Sequence, residues 1–520
     1  MKRKISVTLA ALMIFVSSSS VFGAISDITI NADGLLQPVR NEIINKNGAN
    51  YVGLREMSDI LGADDVFWDS KARTVTIKKG NKKVVLSVDS GKVSVDGKEV
   101  DTPVTAEIVN SRVMVPLRFI SEIFDAEVSW DEDKRMITVV NPDKTGNYAV
   151  LNTVGEKNET TTVYTYEEAL SAAISKNSDL KNLDDTISYL SEARDDLGNN
   201  LKIMDDAYDS YTTIENGAAS GGLSETAALQ LRANMTETLS STIKIMQSIK
   251  SADVNRSLKD INEEMIKDGL AATLKNYLSS IKTAQMNISL LEESVNLGQE
   301  NIENMELKLS VGMESEQNVF TARLEQEQLE LSLESAKLSL EQLKQSLNSF
   351  IGAGADEDIF IDYEITFDKL DDIQLESYVT LKTQNDPLIK TLKAQVDLAE
   401  YNKRVAAVNA SDAERLNLIN SVNTATRTLK DKQDSMATNI RNTYNQLKQL
   451  EQQDKSKKAA VKKAIEDYNS AVVSYQAGMA TNYQVSQAKM AILNAEIEVE
   501  KNALSYDLLV FSFERPYMLG

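Results

Sequence analysis

The chain has 520 residues, with 56 Lys+Arg against 78 Asp+Glu, a formal net charge of −22, and neither histidine nor cysteine. This composition excludes a Ser-His-Asp triad, histidine or thiolate metal sites and disulfide staples, so stability must come from packing. So acidic a chain is also a poor match for nucleic acid or anionic lipid.

Lys2-Arg3-Lys4, the largely apolar run from Ile5 to Val16 and the small-residue segment ending at Gly23 read as a secretory signal peptide over residues 1–23. The apolar run is too short for a ~30 Å hydrocarbon core, and no later stretch is long and apolar enough to be a transmembrane helix. With no cysteine after it, a lipoprotein anchor is excluded. The expected destination is across the cytoplasmic membrane, at the cell envelope or cell surface.

Residues 26–141 hold both tryptophans and several period-2 strands, such as Thr74-Val75-Thr76-Ile77 and Val84-Val85-Leu86-Ser87-Val88. They also repeat. Leu54-Arg55 leads through Ile60-Leu61 to Trp68-Asp69, Arg73 and Thr76; Leu117-Arg118 leads through Ile123-Phe124 to Trp130-Asp131, Arg135 and Thr138. Each half reads as a short helix followed by a hairpin, giving a small α+β domain. The tryptophans read as core.

Val115-Pro116-Leu117-Arg118-Phe119-Ile120-Ser121-Glu122 with Val128-Ser129-Trp130-Asp131 resembles the domain named for the N-terminus of copper amine oxidases, although Gly53 stands where the second half has Pro116. The resemblance implies an exported protein of a Gram-positive bacterium, with a wall polymer as candidate ligand of this domain. It implies no copper, and no metal or cofactor is expected. Asp131 and Asp133 are carboxylates in a charged turn without the glycine of a calcium loop. No catalytic residue is assigned, and the protein is read as non-enzymatic.

After a linker (residues 142–163) the chain becomes helical in two pseudo-repeats, residues 164–351 and 375–515, joined by a second linker (352–374) with a strand-like Ile359-Phe360-Ile361. Leu274, Tyr277, Ile281, Ala284, Ile288, Leu291, Val295, Gly298, Ile302, Met305 and Leu309 keep a 3-4 alternation, which predicts a coiled coil. Val311-Gly312-Met313 then ends the helix, and a second heptad helix follows through Val319, Ala322, Leu329, Leu333, Ala336, Leu340, Leu343 and Leu347. An equivalent turn, Ala477-Gly478-Met479, lies 166 residues later and leads to Val485, Ala488, Ala495, Val499, Asn502, Tyr506, Leu509 and Phe513. Leu324, Leu331 and Leu338 form a second apolar stripe opposite the Leu329–Leu347 seam, so that helix calls for neighbours on two sides. Asn177-Ser178-Asp179-Leu180 and Asn385-Asp386-Pro387-Leu388 mark matching helix starts.

An Asn-x-x-Leu start, a short helix, a long heptad helix, a glycine tip and a returning helix, occurring twice, resemble the TolC family of trimeric outer-membrane export channels over residues 164–515. The resemblance implies a protomer of a hollow α-helical barrel, a homotrimer, and a partnership with an adaptor (membrane fusion) protein and an inner-membrane transporter. It implies that Val311, Gly312, Met313, Ala477, Gly478 and Met479 face the adaptor. The family's barrel hairpins have no counterpart. Asn385 to Gly478 spans 93 residues with only Asn409-Ala410-Ser411-Asp412 as a turn, whereas Asn177 to Gly312 spans 135. The extra residues there break at Asn216-Gly217 and Gly221-Gly222, then resume at Ser224 with helical spacing. The fold expected is therefore mainly α: long antiparallel coiled-coil hairpins in two pseudo-repeats, a TolC-like protomer without porin strands, preceded by the α+β domain. The function expected is an envelope component of an efflux or export assembly, an α-helical conduit docking an adaptor through its tips. A wall-associated stalk or scaffold without a channel is the alternative.

Overall fold

The structure is a computed structural model. It describes residues 28–519 apart from 142–160 and short stretches at 34, 38–42, 47–48, 64, 80–81, 89–91, 101–105, 110–111, 133, 219–223, 364, 366, 368, 371–372 and 408–409. The signal peptide, most of the first linker and Asp133, Gly221, Gly222 and Asn409 lie outside the described residues. The chain forms two compact units, one of residues up to Tyr148 with Ile465–Lys489, the other of Ala149–Ala464 with Met490–Gly520.

The first unit contains the α+β domain. Helix α1 (Leu54–Leu61) precedes the hairpin Asp65–Asp69/Thr74–Lys79, and α2 (Leu117–Ile123) precedes Glu127–Asp131/Met136–Val140, so both half-repeats have the helix-then-hairpin plan. The strand Thr29–Ala32 pairs in parallel with Met136–Val140 on one side and antiparallel with the two-residue edge strand Leu35–Leu36 on the other. Alternation puts Val75, Ile77, Val84 and Leu86 inward, and they meet Met57, Ile60, Leu117 and Ile120 from the two helices in one core. Burying such side chains contributes about 1.5–3 kcal/mol each.

The helical unit begins with the strand Thr162–Thr165, then α3 (Tyr166–Lys176), α4 (Ser178–Ala218), α5 (Glu225–Ser257), α6 (Lys259–Ser310) and α7 (Glu316–Ile351). After the strand Ile359–Asp362 come α8 (Leu375–Asn385), α9 (Pro387–Ala406), α10 (Asp412–Gln476) and α11 (Asn482–Glu514). Local chemistry explains the boundaries. Thr165 and Glu168 form a capping box at α3, Ser224 caps α5, and Pro387 occupies the first turn of α9. Among the described residues the strands of this unit are two, and they pair with each other in parallel, so no closed barrel forms. Among the described residues no helix is long and apolar enough to cross a membrane.

The 166-residue repeat extends into the packing. Leu274, Leu278, Ile281 and Leu347 form a core with Ala169, Ile351, Ile359 and Ile361. Their counterparts Ile440, Leu447 and Phe513 are buried in a second core with Val379, Ile389, Met436 and Tyr506. A third, smaller cluster joins the halves, Met286 of α6 against Ile497 and Leu504 of α11. Beside it, Lys282 is fully buried with Glu500 at 3.5 Å. Asn502, which interrupts the apolar spacing, is also buried, and its Nδ2 donates to Leu450 O at 3.1 Å.

Candidate partner-docking tips and a cleft in the small domain

Each tip is built the same way. At the first, Met313 N–H donates to Lys308 O at 2.8 Å and Gly312 N–H to Leu309 O at 3.0 Å; at the second, Met479 donates to Ser474 O at 2.8 Å and Gly478 to Tyr475 O at 2.9 Å. These are Schellman closures, which require a left-handed residue past the helix end. Gly312 and Gly478 supply it, with φ of 75° and 73°. A Cβ on either would meet nothing within 4 Å, so the glycines are needed for backbone conformation and not for space. The returning helix is then capped at once. Ser315 Oγ accepts from Asn318 N–H, and Thr481 with Gln484 makes a reciprocal pair. Asn318 and the Ser315 N–H also bond the Glu314 carboxylate, which holds it below the usual carboxylate range.

All six tip residues are exposed: Val311, Gly312, Met313, Ala477, Gly478 and Met479. Met313 is 76% and Met479 79% accessible, a flexible apolar side chain held outward on a rigid turn. The tip turns leave no buried catalytic group, and what they offer is adaptable apolar contact.

Another exposed apolar feature is the second stripe of α7. Leu331 and Leu338 are 59% and 61% exposed, while Val319, Ala322 and Leu347 on the opposite face are buried. Counted by the repeat, Leu331 and Leu338 correspond to Ile497 and Leu504, the residues that pack against α6.

In the small domain the core reading fits Trp68, which packs against the core, but not Trp130, which is 42% exposed. Trp130 sits near the end of an edge strand, where a cleft of about 530 Å³ opens toward the start of α2. Asn50, Arg118, Phe119 and Glu122 line it with the indole. Asp131 serves its turn, accepting from Lys134 N–H at 3.0 Å and pairing with the Lys134 ammonium at 3.1 Å.

Sequence spacing gave no sign of a polar clamp in the helical unit. Asp507 of α11 accepts from Lys275 of α6 at 2.9 Å and from the Tyr363 hydroxyl at 2.6 Å, and Lys275 also reaches that hydroxyl. The Tyr166 and Tyr363 rings lie 5.2 Å apart over the same lysine. Burial, aided by Asp507, pushes the Tyr166 hydroxyl up to about 12, and burial with its bond to Asp507 pushes Tyr363 upward too. Both phenols stay neutral and the group acts as a clamp. A second clamp lies near the end of α11, where Asp268 accepts from the Tyr517 hydroxyl at 2.5 Å and forms an ion pair with Arg515, whose Nε lies 2.9 Å away.

Residues 34–139 match the family described as the copper amine oxidase N-terminal domain. No curated protein matches the sequence. Among solved structures the chain is similar to the outer membrane protein VceC of Vibrio cholerae, with 15% identity, 52% of this chain and 75% of that one covered, and a TM-score of 0.42. It is similar to the outer-membrane channel OprN, with 11% identity, 72% and 98% covered, and a TM-score of 0.47. The Campylobacter jejuni CmeC outer membrane channel is another, with 13% identity, 72% and 93% covered, and a TM-score of 0.46.

Proposed function

We propose that the protein is an exported, non-enzymatic component of an export or efflux assembly in the cell envelope, and that its helical unit packs side by side with copies of itself into a conduit. The observation that carries this is the unequal fate of one repeated stripe. Ile497 and Leu504 are buried against α6 within the chain, while their counterparts Leu331 and Leu338 on α7 lie open. The α6 surface that receives α11 has its own counterpart on α10. The repeat pairs Lys275 with Arg441, Lys282 with Lys448, Asp507 with Glu341 and Glu500 with Glu334. A neighbouring copy seated on α7 as α11 sits on α6 therefore sets Arg441 and Lys448 opposite Glu341 and Glu334. Charge and apolar pattern are both complementary.

A closed ring of three such protomers makes six quasi-equivalent contacts and fits the trimer implied by the resemblance. The tips then serve an adaptor protein joined to a transporter of the cytoplasmic membrane. The residue spans proposed from sequence for the two repeats, the linkers and the signal peptide fit this plan, as does a Gram-positive envelope.

The test is the mass of the purified mature protein in solution, imaged by negative stain. A trimeric hollow tube is expected, with Leu331→Glu/Leu338→Glu reduced to monomer and helicity kept. Association restored by pairing Glu341→Arg with Arg441→Glu, after loss with either change alone, identifies the contact. A wild-type monomer or solid rod overturns the conduit and leaves the stalk. For adaptor docking, Met313→Asp and Met479→Asp are the informative changes, since they leave the glycine turns intact. Unchanged adaptor retention by both variants rejects the tip assignment.

The cleft beside Trp130 favours a supplementary role, holding wall polymer, because an exposed indole flanked by Arg118, Glu122 and Asn50 suits a sugar ring. Quenching or enhancement of Trp130 fluorescence by soluble wall fragments, lost in Trp130→Ala, checks it; no change on titration removes it.

A further inference from the structure

Among the described residues the edge strand Leu35–Leu36 of the small domain pairs on one side only. The Gln37 N–H turns in to Ile30 O at 2.8 Å, so alternation turns the Leu36 N–H away from the sheet. An open edge of this kind needs cover or it pairs with another chain. Here the cover comes from α10. Asn469 Oδ1 accepts the Leu36 N–H at 2.9 Å, and Gln476 Nε2 reaches Gln37 O at a longer 3.4 Å.

Asn469 and Gln476 are seven residues apart and so share one helical face, with the fully buried Val472 on the same face between them. Carboxamides suit this task because each carries both a donor and an acceptor, matching the mixed groups of a strand edge. The first tip has no such pair. Its counterparts are Glu303, which only accepts, and Ser310, whose hydroxyl is used on Leu307 O at 2.7 Å.

We propose that the small domain is a fixed companion of the second tip: its free sheet edge docks on the last two turns of α10. A partner approaching Met479 then meets a composite surface of tip and small domain. The first tip, with Glu303 and Ser310 in those places, offers no carboxamide pair to such an edge. The two tips, alike in backbone, become unlike as docking sites. This inference stands apart from the conduit reading, since it needs neither copies of the chain nor an adaptor.

Hydrogen exchange on the full-length mature protein tests it. The Leu36 amide is expected to be protected in the wild type. It should exchange roughly five-fold faster in Asn469→Ala/Gln476→Ala, the effect of losing about one hydrogen bond, with α10 protection unchanged. A Leu36 amide that exchanges freely in the wild type, or equally in both proteins, overturns the docking. The absence of cysteine permits a second readout that leaves both contacts in place. Gln37→Cys with Val473→Cys, treated with a short bismaleimide, should cross-link within one chain. Cross-links that double the mass, or no cross-link at all, reject the intrachain assignment.

Discussion

The two helical repeats treat equivalent positions in two different ways. Apolar counterparts in the two cores share one fate: Leu274 and Ile440, Ile281 and Leu447, Leu347 and Phe513 are all buried, and only the second stripe departs from this, with Leu331 and Leu338 open where Ile497 and Leu504 are buried. Basic counterparts diverge. Lys275 and Lys282 of the first repeat reach across to Asp507 and Glu500 of the second, whereas Arg441 and Lys448 pair nearby with Glu376 and Glu451. Duplicated core positions are constrained by packing inside each unit. Charged positions are constrained by whatever stands opposite: the other repeat for Lys275 and Lys282, their own repeat for Arg441 and Lys448. The comparison separates what folds a repeat from what joins repeats.

The strongest way to break it is to remove the acid from the buried joint. Glu500→Ala strands the Lys282 ammonium in a closed site and should cost on the order of 3 kcal/mol. The matching change in the second repeat, Glu451→Ala, should cost clearly less, because Lys448 is better exposed to water. Urea titrations of both variants measure the gap. Lys282→Met with Glu500→Leu should recover most of the loss, since nothing charged is then left unpaired. Equal costs for the two single changes would mean that the joint holds its lysine no more tightly than the Lys448–Glu451 pair does.

Tyr506 offers a smaller effect. Its hydroxyl accepts the Leu370 N–H at 2.8 Å and meets Glu451 at 3.2 Å, while its first-repeat counterpart is Leu340, which has no polar group to satisfy. Tyr506→Phe should cost about 1–2 kcal/mol by orphaning the Leu370 N–H. Gly312→Ala and Gly478→Ala come next, at ~1 kcal/mol each, because both turns hold φ near +75° with open space around the Cα. Near-equal values are expected from the shared closure. A much larger cost at Gly478 would point to a disturbance of the neighbouring domain contact.

What could be read from the sequence follows the same division. Heptad spacing, Ser224, Pro387 and the glycine turns act over a few residues, so helix limits and tips were legible. The first-repeat insertion was legible as helices for the same reason. The parallel pairing of Thr162–Thr165 with Ile359–Asp362 was not, because a four-residue strand in a presumed linker carries little pattern and its partner is remote. Lys275 and Asp507 were equally hidden: a lysine and an aspartate on separate helices have no joint signature until the helices pack. Trp130 was misjudged because a tryptophan alternating with Val128 looks like core, and only the cleft beside α2 exposes it. The grip of Asn469 and Gln476 on Leu36 and Gln37 left no trace, since backbone acceptors and donors have no letter in a sequence.

The smallest effect concerns the matching helix starts. Asn177 caps α4 through Oδ1, taking the Asp179 and Leu180 N–H groups, and Asp386 caps α9 through Oδ1 to the Leu388 N–H. Asp386 is nearly fully buried, and burial raises its carboxyl above the ordinary 3.8, outweighing the pull of that bond and of Lys382. A folded value above the unfolded one means that the native state holds the proton more tightly. The stability this lends is complete below the unfolded value and is lost as pH rises through the raised folded value. Asp386→Asn keeps a capping oxygen, cannot ionise, and makes the second start chemically like the first. Its melting temperature relative to wild type should therefore climb from acid toward neutral pH and level off once the wild-type carboxyl is ionised. A flat difference across that range would mean that Asp386 is ionised as readily when folded as when unfolded, and that the two starts already behave alike.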